Sequence, residues 1–197
     1  MDYNIKNKVA IIGGSSRGLG KACAISLAKE GVNIVLCAKN EASLKITLKE
    51  IEQYNVKVLP IVSDMSIAED NERIVRETIK QFGRIDILVN NSGGPKAGSF
   101  KDIDLQEWDS AYNGVLKYTI RMIKMVLPYM EKNGWGRIIN ITSLAVKEPA
   151  PTLILSNVFR SGVVSLAKSI SKELIKEGVT INNICPGAFK TDRAIEL

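Results

Sequence analysis

Val9 to Ile12 is a short apolar run that passes directly into Gly13-Gly14-Ser15-Ser16-Arg17-Gly18-Leu19-Gly20, and the helical pattern Lys21 to Glu30 follows at once. A strand, a glycine-rich turn and a helix in that order place a helix N-terminus at the end of a buried strand, which few architectures accommodate. Glycine takes positive φ and leaves bare backbone beside a ligand, while the helix start offers unpaired N–H groups and a positive dipole end. Gly14, Gly18 and Gly20, spaced GxxxGxG, therefore point to a nucleotide pyrophosphate. The alternative is an ordinary strand-to-helix turn.

Beyond the loop, strand and helix signals alternate. Short β-branched runs stand at 8–12, 32–38, 56–62, 85–90, 136–141 and 179–185, of the kind that a parallel sheet buries on both faces. Asn40 is placed to cap a helix through about Tyr54, and Val75, Thr78, Ile79 and Phe82 mark the inner face of another that stops at Gly83. Gly31 and Gly178 stop two more. No linker, repeat or low-complexity stretch interrupts the pattern, so 1–197 reads as a single dinucleotide-binding domain. The class is α/β, a doubly wound parallel sheet in a three-layer αβα arrangement, with ligands beyond the carboxyl ends of the strands.

Composition narrows the chemistry. The chain contains no histidine, which excludes Ser-His-Asp hydrolysis, histidine general-base catalysis and histidine-ligated metals. Cys23, Cys37 and Cys185 are odd in number and widely spaced in apolar surroundings, so they read as buried free thiols, with no disulfide frame and no metal site. The net charge of +6 comes from lysines scattered along helices, such as Lys45, Lys49, Lys80 and Lys172, without basic runs or interleaved aromatics; no nucleic-acid partner is expected. The polar start Met1 to Lys8 lacks the apolar stretch of a secretory signal and no run is long enough to span a bilayer, which predicts a cytoplasmic protein without a membrane anchor. The stretches Trp108 to Met130 and Ser156 to Ile175 are apolar on more sides than one sheet-facing stripe requires. They predict a homodimer or homotetramer built on both helices.

Over essentially its whole length the chain resembles the short-chain dehydrogenase/reductase family, nearest in wording to its 3-oxoacyl-acyl carrier protein reductases. The loop is similar to TGxxxGxG with Gly13 in the Thr place, and Asn90-Asn91-Ser92-Gly93 resembles NNAG. Gly136-Arg137-Ile138-Ile139-Asn140-Ile141-Thr142-Ser143 resembles the fifth strand and catalytic serine, and Cys185-Pro186-Gly187 the PG turn beside nicotinamide. The resemblance implies a Rossmann-type fold and an NAD(P)-dependent oxidoreductase acting on a small-molecule carbonyl or alcohol. It implies that Gly14, Ser15, Ser16, Arg17, Gly18, Leu19 and Gly20 cradle the pyrophosphate and that Asp64, followed by Met65, accepts from the adenine amine. Asn91 and Gly93 would wall the adenosine ribose. Asp64 has a second reading from position alone, a helix cap, and both can hold. Family members continue past the PG turn, so the C-terminal part, with the substrate loop and a final edge strand, is short or missing here.

Cofactor choice follows from charge. An acidic residue about twenty positions beyond the loop binds the ribose 2′-hydroxyl of NAD and repels a 2′-phosphate. Here the second strand ends Cys37-Ala38-Lys39-Asn40, with Ala38 where the acid would stand and Lys39 joining Arg17 as a second cation. NADP is therefore expected over NAD, with Glu41 near enough to weaken that field.

The family's catalytic set is Ser, Tyr and Lys with a helical Asn. Ser143 matches the serine; reading back from Gly162, YxxxK falls on Ser156 and Arg160, and the Asn falls on Val115. Asn113 lies roughly 200° around a helix from it. A serine hydroxyl is a far weaker acid than a tyrosine, and Arg160 can hold ribose hydroxyls but cannot give up a proton. The expectation is carbonyl reduction with an atypical proton donor, for which Lys147, Tyr112 and Tyr118 are candidates. The alternative is a catalytically impaired dinucleotide-binding relative that acts as a sensor or dimer partner.

Overall fold

A computed structural model describes residues 2–187 and 189. Its strands are β1 (Val9–Gly13), β2 (Asn33–Ala38), β3 (Val58–Val62), β4 (Ile87–Asn90), β5 (Gly136–Ile141) and β6 (Val179–Ile184), each within two residues of the sequence expectation at either end. They form one sheet in the order β3-β2-β1-β4-β5-β6, parallel throughout. The order reverses at β1, between β2 and β4, and such a reversal opens a crevice at the carboxyl ends.

Period-two alternation distributes the core between the two faces. Val9, Ile11, Val35, Leu88 and Ile138 pack with α3 (Ala68–Phe82), α5 (Tyr118–Lys132) and α6 (Ile154–Leu174). Their neighbours Ala10, Ile12, Ile34, Leu36, Ile87 and Val89 pack with α1 (Gly18–Lys29) and α2 (Glu41–Glu52). The result is three layers. Local signals act as read: the Asn40 side chain accepts from Ser43 N at 2.8 Å to cap α2, and Gly83 ends α3 at φ 71°. α1 starts at Gly18, three residues before the expected Lys21, because the Lys21 N–H already donates to the Arg17 carbonyl at 3.3 Å.

The stretch from Trp108 departs from a plain α-helix. It comprises α4 (Leu105–Ala111), a π-helical segment Tyr112–Lys117 and then α5, without a break between them. The wider turn of the π segment shifts every position after it relative to a 3.6-residue repeat. The apolar girth of α5 also has a source within the chain, since it packs on β4 and β5 beside α3, with the π segment against α6. Among the thiols only Cys37 is buried; Cys23 and Cys185 are half-buried, which corrects the reading of all three as interior. No helix among the described residues is long and apolar enough to cross a membrane.

Candidate dinucleotide site

A cleft of about 910 Å³ runs along the carboxyl ends of the strands. At one end it is walled by Gly14, Ser16, Arg17, Gly18, Leu19, Ala38, Lys39, Asp64 and Met65, and Asn91 and Gly93 border it midway. At the other stand Ser143, Ser156 and Arg160. The fold therefore gathers residues from the ends of β1, β2, β3, β4 and β5 and from α6 into one groove.

The glycine loop has the conformation its composition predicts. Gly14 and Gly18 take φ of 56° and 55°, a region costly for side-chain-bearing residues. A Cβ at Gly20 would lie 2.3 Å from the Gly14 carbonyl oxygen, so only a bare residue lets the first turn of α1 close on the loop. Asn91 braces this arrangement, its Nδ2 donating to Gly13 O at 3.0 Å and Gly14 O at 3.4 Å. The loop exposes backbone at the head of a helix and thus fits the pyrophosphate of a dinucleotide.

Two loop residues stand behind the wall. Ser15 is fully buried and its Oγ accepts from Cys37 N at 2.8 Å, tying the loop to β2. With its hydroxyl committed there, it supports the cradle and does not line it; Gly20 likewise acts through close packing. Pro186 and Gly187 also lie off the cleft wall, and the Pro186 carbonyl accepts from Leu144 N at 2.9 Å beside Ser143.

Asp64 caps no helix, since α3 begins only at Ala68 with Ile67 as its N-cap. Its Oδ1 instead accepts from Ser66 N at 2.9 Å and Ser66 Oγ at 2.7 Å, while Oδ2 pairs with Lys39 Nζ at 2.7 Å. Partial burial opposes its ionisation, but Lys39 and Ser66 outweigh that and hold the carboxyl below the usual range. Glu41 pairs with Lys45 at 2.7 Å and is off the cleft wall, so the acid that competes for Lys39 is Asp64.

At the far end, Ser143 opens a short 3₁₀ turn (Leu144–Val146), and its Oγ accepts from Ala145 N at 3.1 Å, leaving the hydroxyl hydrogen as the group it can offer. Ser156 and Arg160, four apart on α6, are both 9% exposed and share one face. Arg160 Nη1 donates to Ile141 O at 2.7 Å and Thr142 O at 3.1 Å, which engages the guanidinium with the end of β5. An asparagine ladder steadies the adjoining strands: Asn90 Nδ2 donates to Asn140 Oδ1 and Asn140 Nδ2 to Asn183 Oδ1, both at 2.9 Å.

None of the three alternative proton donors borders this cleft. Lys147 is exposed beyond the 3₁₀ turn, and Tyr112 packs its ring on Phe159 at 6.1 Å. Tyr118 is fully buried in the core, where desolvation first and the neighbouring Cys37 second push its phenol far up; its hydroxyl lies by the Asn91 backbone without a well-formed hydrogen bond. Asn113 donates to Asp109 O at 2.9 Å, off the cleft, while Val115 lines it. The sequence reading missed Lys96, Glu107, Ser110 and Leu153, which line the cleft beyond Gly93. Only the fold brings these segments together. No cluster of metal-ligating side chains occurs among the described residues.

A sequence profile of the short chain dehydrogenase family matches residues 8–197. The chain is 32% identical over 187 residues to a 3-oxoacyl-(acyl-carrier-protein) reductase of Staphylococcus epidermidis, covering 94% of this chain and 77% of that protein. An L-sorbose reductase from Gluconobacter frateurii, solved with NADPH and L-sorbose, superposes with a TM-score of 0.94 at 31% identity, covering 98% of this chain and 73% of that one. A 7α-hydroxysteroid dehydrogenase solved with NADH and 7-oxo glycochenodeoxycholic acid also reaches 0.94, at 28% identity over 99% of this chain and 76% of that one.

Proposed function

The chain belongs to the short-chain dehydrogenase family of NAD(P)-dependent oxidoreductases, and on that footing we propose that it reduces a small-molecule carbonyl with NADPH through a site that lacks the usual tyrosine acid. The observation that carries this reading is the single cleft that runs from the glycine loop to Ser143, Ser156 and Arg160. Arg17 and Lys39 border its adenosine end and no acid follows β2 at Ala38, the charge pattern that favours a 2′-phosphate.

When bound, the nicotinamide supplies the hydride. Around it, the glycine loop holds pyrophosphate, Asp64 and Met65 flank the adenine, and Asn91 and Gly93 wall the ribose. Ser143 donates its hydroxyl hydrogen to the substrate oxygen, and Ser156 adds a second hydrogen bond in place of the family's tyrosine. Arg160 contributes fixed positive charge toward the ribose and the developing alkoxide. With neither hydroxyl acidic enough to act as general acid, the proton comes from water reached through the open cleft. Positioning survives while the general-acid contribution of about 10²–10⁴ in rate is lost. Carbonyl class, 3-oxoacyl or other ketone, follows the relatives and sets the panel to be tried.

The engagement of Arg160 with the Ile141 and Thr142 carbonyls favours one competing reading, a dinucleotide-binding relative with impaired catalysis serving as a sensor or dimer partner. NADPH absorbance followed with ketones, aldehydes and β-ketoacyl thioesters separates the two. We expect slow turnover by the wild type. Turnover confined to the Ser156→Tyr/Arg160→Lys variant establishes the sensor reading, and failure to bind NADPH or NADH overturns both.

A further inference from the structure

Lys39 and Asp64 both border the adenosine end of the cleft, and their side chains meet at 2.7 Å. Asp64 is held from several sides. Ser66 supplies two donors to its Oδ1, and its backbone N–H donates to Asp70 Oδ2 at 2.7 Å. Asp70 in turn pairs with Arg73, which donates to the Val62 carbonyl at 2.8 Å. Lys39 is the solvated member by contrast: its side chain is 71% exposed, against 26% for Asp64. A fixed carboxylate thus restrains a solvated cation, and the pair together carries no net charge toward the cleft.

From this geometry, and resting on the NADP reading above, we infer that Asp64 sets the cofactor preference, by holding Lys39 in an ion pair that a ribose 2′-phosphate must displace. The phosphate gains Lys39 only after the pair opens, and it then lies near an uncompensated Asp64. A 2′-hydroxyl makes no such demand, so NADH binds with the pair closed. Asp64 therefore acts as a positioning residue, and it weakens the preference for NADPH that Lys39 and Arg17 favour.

The readout is the ratio of dissociation constants, NADH over NADPH, measured by fluorescence titration of purified protein. Any contact of Asp64 with the adenine is common to both cofactors and cancels in the ratio. Exposed ion pairs contribute up to about 1 kcal/mol, so Asp64→Asn, which keeps an oxygen for Ser66, should raise the ratio by about fivefold. Lys39→Met should lower the ratio, and Asp64→Asn added to Lys39→Met should raise it again by less than Asp64→Asn does in the wild type, since there only the repulsion between carboxylate and phosphate is removed and no lysine is released. Asp64→Ser provides a second variant that removes the carboxylate, with the same expected rise. An unchanged ratio in Asp64→Asn and Asp64→Ser overturns the inference, as does an equal rise in the Lys39→Met background, which would mean that the carboxylate acts without Lys39. A wild-type ratio below one instead overturns the NADP reading itself.

Discussion

Gly13 stands where the family's loop carries Thr, and the structure makes the substitution of any side chain there costly. A Cβ on Gly13 would lie 2.4 Å from the Asn91 carbonyl oxygen and 2.6 Å from the Tyr118 hydroxyl, against the 3.4 Å at which ordinary contact begins. Neither neighbour yields readily. Asn91 is tied to Gly13 and Gly14 by its own side chain, and Tyr118 is enclosed by core on all sides. Overpacking of this kind costs about 1–3 kcal/mol, so Gly13→Ala should lower the thermal midpoint by about 2–12 °C for a chain of this size. Displacing Asn91 also displaces the loop it braces, so NADPH affinity should fall alongside stability. Tyr118→Phe removes one of the two clashes, and in a double-mutant cycle it should recover about 0.5–1 kcal/mol of the Gly13→Ala loss. Urea denaturation of the four proteins, with NADPH titrations on each, measures both effects. A Gly13→Ala protein within about 0.5 kcal/mol of wild type and with unchanged NADPH affinity would refute the packing argument.

Three further outcomes follow from features away from the cofactor. The carboxylate of Asp86, fully buried at the amino end of β4, accepts from Val9 N at 2.9 Å and from Arg84 Nε and Nη2 at 2.8 and 2.6 Å. Removing it leaves the buried Val9 N–H without its acceptor, at a cost of about 1–3 kcal/mol, so Asp86→Ala should lower the urea midpoint; a loss below about 0.5 kcal/mol refutes the assignment. Burial pushes the Cys37 thiol up to about 12, with Ser63 and Arg73 pulling it back only in part. Its thiolate is absent at neutral pH, and Cys37 should resist iodoacetamide in the native state and label only after unfolding; native labelling at the rate of Cys23 is the contrary result. Phe100, Leu105, Tyr112 and Val158 remain exposed on and near α4 and α6, so light scattering should give a multiple of the 21.6 kDa chain, and a monodisperse single-chain mass sinks the oligomer.

Which features could be read from sequence depended on how local their physics is. β5 lies at 136–141 as expected, because an apolar run between turn residues has few other uses in an alternating α/β chain. The Asn40 cap and the Gly83 stop are equally local. The π segment was not legible: it packs against α6, far away in sequence, and an assumed 3.6-residue repeat put Asn113 and Val115 on a wheel that the chain does not follow. The role of Asp86, which falls inside the expected run 85–90, was not legible, since nothing in that run reveals that Arg84 and Lys8 close over its carboxylate. The Lys39–Asp64 pair joins the ends of β2 and β3, so each was visible as a site residue while their contact was not.

The two ends of the cleft differ in what the fold requires of them. At the loop, Gly14 and Gly18 at positive φ and the close approaches at Gly13 and Gly20 are conditions of the β1–α1 turn, so the proposed cofactor cradle and foldability place the same demand on these residues. At the other end, Ser156 and Arg160 project from one face of a rigid helix whose packing runs through Leu155, Val163 and Ala167. Arg160 has been absorbed into the scaffold by its bonds to β5, and Ser156 asks for little room. Ser156 can therefore be exchanged without losing the sheet or the loop, whereas replacing Arg160 takes a donor from two carbonyls at the end of β5. A shared fold does not fix the proton chemistry at the far end of the cleft, and this is why turnover of the wild type against Ser156→Tyr/Arg160→Lys decides the reaction where superposition on its relatives does not.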